Sequence, residues 1–487
     1  MTGEPYPRRV LDLLAAAGDR TVFEHGARGT SGTGLLGLVR RLAAGLRAAG
    51  IGPGSGVAAV VGVNAEAFAA ILACHVVGAR VVGVRPGLTD RQLRQVMGLH
   101  VDAVVTDAAT EPPHAPRTLT VAELLTAPEE EGPLRLSGRP HDVARLICTS
   151  GSTGDPKACA QTYAALGAAW TARPEAWPPA IRELAPRLRR YLVFGSLSSQ
   201  VMLEYGVLSI AAGGTMVVAD QPAFPRALTE HRASASVITV PRLRKLVAAQ
   251  RAAPVDLSGL RALVVSGSPL EASAHREALD VLGPVVFHGY GQSETGTISM
   301  ATPWDTPGSV GFPPVDVVAR GPDGEPVPSG VDGELYVRTP GQATGYWADP
   351  EETARVFVDG WVRTRDLGRF DADGRLHLVG RTRDVVIVNA NLYYTGPIER
   401  LLATHPDVAE AHVVGVPDED TGEAVHAFVV PSAGRTPDVA SLRALVGEHL
   451  GQACVPARIA VIDEVPLAPS GKPDKRLLVA AHPAGRR

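Results

Sequence analysis

"LICTSGSTGDPKACAQTY", residues Leu146–Tyr163, passes from an apolar run into small and hydroxylated side chains and closes on Pro156 and Lys157. Gly151 and Gly154 let the backbone turn tightly and approach a ligand. Thr149, Ser150, Ser152 and Thr153 offer hydroxyl donors, and Lys157 adds a cation. Together these are the parts of a phosphate cradle at the end of a strand. The spacing is not that of Walker A: the glycines stand too close together, and Asp155 and Pro156 come before the lysine. Nor is it GxGxxG. A flexible solvent loop has the same composition, so the stretch alone leaves both readings open.

Working outward, short Val- and Ile-rich runs alternate with helical patterns over the first three-quarters of the chain. "GVAAVVGV" is followed by "NAEAFAAILACHVVGA", where Asn64 can cap a helix and Gly78 can end it. Strands are expected at "DAVVTD", "RLICTS", "GTMVVAD", "ASVITV", "RALVVSG" and "PVVFHGYG", few of them alternating in polarity, which predicts a sheet covered on both faces. Leu35, Leu38, Val39, Leu42 and Leu46 recur at helical spacing and read as core. Residues 111–141, rich in Pro, Glu and Thr, read as a surface excursion. From Pro303 the texture becomes β-rich, with hairpin turns expected at Asp323-Gly324 and Asp332-Gly333. Beyond Gly380 the pattern is strand (385–388), helix (397–403), strands near Val413 and Phe428, helix (438–450) and strand (458–462), a compact α+β unit.

With 487 residues the chain exceeds one ordinary core. A net charge of -4, with 20% charged and 45% hydrophobic residues, fits a globular protein and argues against a general nucleic-acid partner. Cys74, Cys148, Cys159 and Cys454 are scattered, with no CxxC spacing, and read as reduced packing residues. Cys159 has no base beside it in sequence that would make it a nucleophile. There is no signal-peptide pattern and no membrane-spanning run, so a cytoplasmic location is expected.

Further motifs join the first. "TSGSTGDPK" resembles the signature loop of the adenylate-forming superfamily, which includes acyl-CoA synthetases, adenylation domains of nonribosomal peptide synthetases, and luciferases. "YGQSET" (Tyr290–Thr295), "RTRDLG" (Arg363–Gly368), "GRTRD" (Gly380–Asp384) and "PLAPSGKPDKR" (Pro466–Arg476) resemble its second core motif, ribose motif, hinge and C-terminal lysine motif, in the family's order. The fold implied is an N-terminal domain (1–379) of two α/β subdomains and a small β-rich one, then a small mobile α+β domain (380–487) carrying the catalytic lysine. The reaction implied is attack of a carboxylate on the α-phosphate of ATP, giving acyl-AMP and pyrophosphate, followed by displacement of AMP. Bringing two anions together requires cations and oriented donors.

The resemblance assigns roles residue by residue. Thr149, Ser150, Gly151, Ser152, Thr153, Gly154 and Lys157 would hold the β- and γ-phosphates, and Glu294 would ligate Mg²⁺. Gly289, Tyr290, Gly291, Gln292 and Ser293 would line the nucleotide, Tyr290 along adenine and Ser293 beside the α-phosphate. Gly267, Ser268 and Pro269 resemble the loop between the adenine and acyl sites. Asp366 would accept from the ribose hydroxyls, Arg381 would contact ribose or phosphate, Lys472 would enter between carboxylate and α-phosphate, and Arg383 would be the hinge. Ser198, Gln200 and His288 are the expected acyl-pocket residues.

Three positions depart from the family pattern. Arg365 stands where the ribose motif has glycine, Ala390 where the pantetheine arm usually passes a glycine, and Gln200 where peptide synthetases have the Asp that binds an α-amino group. An α-amino acid substrate is therefore disfavoured, and an acid with an aryl or acyl body fits better. The expected acceptor is CoA or a carrier-protein phosphopantetheine. The alternatives are an amine, or nitrite activation for attack by an arylamine, and, from another class, a nucleotide-binding protein without turnover. A monomer or homodimer is expected.

Overall fold

The computed structural model describes residues 5–481 except 85–87, 108–111, 130–131, 150–156, 194, 220–222, 383, 389–390, 419–420 and 468–472. The opening stretch resolves into two antiparallel strands, Val143–Thr149 and Lys157–Thr162, in which Thr149 lies opposite Lys157. The strand after this stretch returns antiparallel, whereas a Walker loop feeds a helix whose N-terminus holds the anion.

These strands belong to a seven-stranded sheet ordered Gly345–Tyr346, Lys157–Thr162, Val143–Thr149, Arg80–Gly83, Gly56–Val60, Ala103–Thr106 and Thr118–Thr120. A second, eight-stranded sheet is ordered Gly296–Ala301, Val286–Gln292, Ala262–Ser266, Ala235–Thr239, Arg190–Val193, Thr215–Val218, Thr21–His25 and Arg28–Ser31. One continuous core links them: Phe23, Tyr191 and Phe287 of the second sheet join Val57, Val81 and Val105 of the first through helices Gly32–Ala48, Ala65–Val76 and Gln200–Ala211. Helix Ala65–Val76 is buried at every position but Glu66, so its apolar residues run all round it, as in a helix enclosed by protein. The Asn64 side chain caps it, accepting from the Ala67 amide at 2.7 Å.

The β-rich part forms a five-stranded antiparallel sheet of Asp316–Arg320, Gly333–Arg338, Phe357–Val358, Trp361–Phe370 and Leu376–Arg381. The last sheet contains Val385–Val388, Asn391–Tyr394, Val408–Asp418, Gly422–Pro431 and Arg458–Val461, with helices Thr395–Ala403 and Val439–Leu450 packed on it. The α/β architecture, with two large sheets followed by a β-rich sheet and a small α+β unit, is the one the sequence implies.

Two expectations are corrected and one strand was missed. Residues 111–141 are not wholly a surface excursion: Thr118–Thr120 adds an edge strand parallel to Ala103–Thr106, and Leu119, Val121 and Leu124 are buried. Asp332 and Gly333 do not make a hairpin turn, because Gly333 opens a strand and lies opposite Gly368. Strand Asn391–Tyr394, pairing with Val385–Val388, was masked in sequence by the helical pattern just after it. The four cysteines are free thiols, and burial raises those of Cys74, Cys159 and Cys454. Among the described residues no helix is long and apolar enough to cross a membrane.

Burial also pulls His75 down to about 3 and His275 and His288 down to about 4, so all three are neutral in the folded chain at pH 7. Unfolding returns them to an ordinary histidine value near 6.5. Their contribution to stability is therefore complete above that value and is lost as pH falls from about 6.5 toward 4, each adding roughly one proton of uptake, or about 1.4 kcal/mol per pH unit. Denaturant titrations at pH 7, 6 and 5 should show a falling free energy of unfolding, and a flat profile would contradict neutral burial.

Candidate active site

The site is assembled at the carboxyl ends of parallel strands in the second sheet, the usual place for ligands in open α/β sheets. Strand Ala262–Ser266 ends there and is followed by Gly267, whose φ of 97° turns the chain into Ser268 and Pro269. Beside it, Val286–Gln292 leads through Ser293, Glu294 and Thr295 into antiparallel strand Gly296–Ala301. Gly291 is required at this turn because a Cβ there would lie 2.5 Å from the Gly296 carbonyl. The turn is fixed from outside: the Ala343 amide donates to the Glu294 carbonyl at 2.8 Å, and the Thr339 hydroxyl to the Thr295 carbonyl at 3.0 Å.

Asp366 lies directly opposite Arg381 across strands Trp361–Phe370 and Leu376–Arg381. Its carboxylate, 5% exposed, accepts from Arg381 Nε at 3.0 Å on one oxygen. The other oxygen accepts from the Tyr290 hydroxyl at 2.7 Å and from Gln292 Nε2 at 2.5 Å. Three motifs separated by up to 91 positions, Tyr290 to Arg381, thus meet on one carboxylate. Burial and the adjacent Asp366 charge both raise the Tyr290 phenol, keeping it a donor, while Asp366 holds Arg381 more firmly protonated.

Lys157 stands at a second focus. Its Nζ lies 2.8 Å from Glu352 Oε1 and 5.5 Å from the centre of the Tyr346 ring. The Tyr346 hydroxyl donates to Glu294 Oε1 at 2.7 Å, so one aromatic side chain bridges Lys157 and Glu294. Glu352, 6% exposed, also accepts from Arg365 at 2.8 Å on the oxygen that faces Lys157. Burial alone would raise this carboxyl, but the hydrogen bonds and charges of Lys157 and Arg365 pull it down to about 2. Arg365 sits at a bulge in strand Trp361–Phe370 with φ 59°, the left-handed region where glycine is free and arginine is not.

The expected pocket residues are divided. The Ser198 hydroxyl donates to the Val84 carbonyl at 3.1 Å. Gln200 opens helix Gln200–Ala211 and donates to Glu204 Oε1 at 2.9 Å, an oxygen that Arg145 also engages at 3.1 Å. His288 is enclosed: it is 2% exposed, its Nδ1 lies 2.9 Å from the Ser309 carbonyl, and its ring packs edge-on against His275. Period-two alternation gives it the same face of the strand as Tyr290, and it also hydrogen-bonds the backbone of Ser268 in the loop after strand Ala262–Ser266.

Cys159 is fully buried with a raised thiol, as a packing residue should be. Ser150 to Gly154, Arg383, Ala390 and Lys472 lie outside the described residues. Near the last of these, Lys475 reaches Glu399 at 2.7 Å and Asp384 at 3.6 Å, bringing the C-terminal lysine motif to the expected hinge. Sequence reading missed Glu352, Tyr346, Glu204 and Lys475. For Glu352 and Tyr346 the signal was slight, a helix start "DPEET" and an aromatic in "GYW", because their importance comes from tertiary contact alone. Among the described residues no group of three or more His, Cys, Asp or Glu side chains could hold a metal ion.

Residues 14–347 match the AMP-binding enzyme family, and residues 397–472 match the AMP-binding enzyme C-terminal domain. The chain is 33% identical to a feruloyl-CoA synthase of Amycolatopsis sp over 93% of its length and 94% of the relative's. It is 31% identical to the fatty acid–[acyl-carrier-protein] ligase ScoC of Streptomyces coeruleorubidus, covering 89% and 88%. Its structure superposes on that of the amide bond synthetase McbA from Marinactinospora thermotolerans with a TM-score of 0.86 and 34% identity, over 97% and 98% of the two chains.

The Asp366 network supports a graded prediction. Tyr290→Phe removes one of three donors and should cost about 1 kcal/mol of stability. Asp366→Ala strands all three donors and should cost more, on the order of 2–3 kcal/mol after allowing for the half-exposed Arg381. Urea unfolding midpoints of the two variants should fall in that order.

Proposed function

From the premise that the chain belongs to the AMP-binding enzyme family and is an ATP-dependent, AMP-forming ligase, we propose that it activates an organic acid with an aryl or acyl body and passes the acyl group to a thiol of CoA or a carrier protein. The observation that carries the nucleotide half of this reading is the convergence of Tyr290, Gln292 and Arg381 on the buried Asp366. A carboxylate has four acceptor sites. Three are used in the network and one is left, so a ribose hydroxyl would take the fourth site and a second would displace Tyr290 or Gln292, beside an aromatic ring for adenine.

In the proposed reaction a carboxylate oxygen of the acid forms a bond to the α-phosphorus as the bond to pyrophosphate breaks. In this reading Lys157 and the hydroxyls of Thr149, Ser150, Ser152 and Thr153 would meet the departing phosphates, Ser293 would lie beside the α-phosphate, and Lys472 would offset the repulsion between the two anions. Glu294 fits a Mg²⁺ ligand, since that ion is commonly held by one or two carboxylates together with substrate phosphates. When bound, Mg²⁺ would neutralise phosphate charge. In the second half-reaction the acceptor attacks the acyl carbon and AMP leaves. We place the division between the two working units near Gly380, with Arg383 as pivot, a reading supported by the change of sheet between Arg381 and Val385.

The acid's body is read from the region of Ser198 and Gln200. The Glu204 carboxylate there is of the right sign for an ammonium group, but it is already paired with Arg145 and Gln200. Such a pair leaves little net charge for a substrate amine, which supports an acid without an α-amino group. A second reading, transfer to an amine, is favoured by Ala390 and by the likeness to an amide bond synthetase. The relatives named above use CoA, a carrier protein and amide formation, so membership in the family is compatible with each acceptor.

The deciding experiment supplies ATP, Mg²⁺ and a panel of aryl and aliphatic acids, adding CoA, a phosphopantetheinylated carrier or an amine in separate reactions, with products identified by mass. A thioester is expected; an amide as sole product would replace the first reading with the second. Independently, Lys472→Ala should lower acid-dependent pyrophosphate release by about a hundredfold or more, the scale for loss of a charge contact made in the transition state. Release at the wild-type rate would remove Lys472 from the chemistry.

A further inference from the structure

We propose that Arg365 is a positioning residue for the polyphosphate of the nucleotide, acting through Glu352 to keep the charge of Lys157 available to phosphate. The inference rests on the reading above in which Lys157 meets the β- and γ-phosphates. Arg365 occupies a left-handed backbone position, φ 59°, where a side chain is disfavoured and glycine would be at ease. The backbone is fixed there independently of the side chain: the Thr382 amide donates to the Arg365 carbonyl at 2.8 Å, and the Thr364 hydroxyl donates to the Leu335 carbonyl at 2.7 Å. An arginine in such a place needs a reason outside the backbone.

That reason lies in what its guanidinium reaches. Arg365 and Lys157 each stand 2.8 Å from the same oxygen of Glu352. The other oxygen lies 3.5 Å from Arg355, whose side chain is mostly exposed and therefore contributes little. Glu352 is fixed by its backbone as well, its amide donating to Asp349 in the first turn of helix Pro350–Val356. The carboxylate cannot simply swing away into solvent. With only Lys157 beside it, it would cancel the ammonium charge and repel an arriving phosphate. With Arg365 present the carboxylate is shared between two cations on one oxygen, and it serves to aim Lys157 without cancelling it. Tyr346, under Lys157 and bonded to Glu294, holds the lysine from the other side.

Four proteins test this: wild type, Arg365→Gly, Arg365→Lys and the double variant Arg365→Gly with Glu352→Gln. Each is measured for binding of a nonhydrolysable ATP analogue by calorimetry, for KM of ATP and of the acid, and for melting temperature. Arg365→Gly should stay folded, with relief of the backbone strain partly offsetting the lost contact to Glu352, and should bind the nucleotide about tenfold more weakly, with the KM for acid unchanged. Arg365→Lys should keep most of the affinity. The double variant, lacking the carboxylate that Arg365 offsets, should recover to within about threefold of wild type, as expected for coupled charges in one network. An Arg365→Gly protein that binds nucleotide as wild type does, or a double variant as weak as the single one, overturns the inference while leaving the nucleotide site intact. A wild-type chain that binds no ATP overturns the underlying reading and this one with it.

Discussion

A buried carboxylate must have its lone pairs filled, and at Asp366 this requirement draws two sheets together. Its donors come from both sides of the seam: Tyr290 and Gln292 from the large parallel sheet, Arg381 from the β-rich sheet. An ionised group at 5% exposure would be costly without them. The network therefore fixes how the strand carrying the ribose motif sits on the strand carrying the second core motif. Once that seam is set, the turn at Ser293–Thr295 and the segment near Gly345 follow, because Ala343 and Thr339 hydrogen-bond back to the turn.

The cluster around Lys157 is organised on the same logic with opposite sign. An antiparallel strand pair has no helix dipole to offer an anion, so in the proposed phosphate site the cation is a side chain that must be aimed. Lys157 begins its strand directly opposite Thr149, and Glu352 and Tyr346 hold it from two neighbouring elements. Glu352 in turn depends on Arg365, which is next in sequence to Asp366. The ribose-motif strand thus touches both foci: Asp366 turns to Tyr290, and Arg365, one residue earlier on the bulge, turns to Glu352. The bulge allows consecutive residues to enter two separate networks.

Much of this could be read in the chain itself. Buried parallel strands announce themselves as Val- and Ile-rich runs, and the expected strands from Gly56 to Gln292 form where those runs lie. Motifs are legible when the chemistry is local, as in the hydroxyl-rich loop, and Asp366 and Arg381 pair because their strands are neighbours. Glu352 was not legible, since an acidic residue in the first turn of a helix is ordinarily a solvated partner of the dipole. Only the fold places it beneath Lys157. The packing of His288 against His275 was not legible either, since it joins a strand to a helix that is separate in sequence. The short strand Thr118–Thr120 was hidden because an edge strand needs few apolar residues.

The two halves of the proposed reaction make different demands on sequence, and this explains where the chain departs from its relatives. ATP is the same molecule for every member, and the residues proposed to meet it share contacts, with Tyr290, Gln292 and Arg381 all bonded to Asp366. The acid is not the same molecule. Its expected site rests on Ser198, Gln200 and the Arg145–Glu204 pair at the start of one helix, where a substitution disturbs fewer partners. Arg365 breaks this division, being a departure inside the nucleotide half. A departure can persist there only if a second residue accommodates it, and Glu352, holding Arg365 and Lys157 on one oxygen, is that residue.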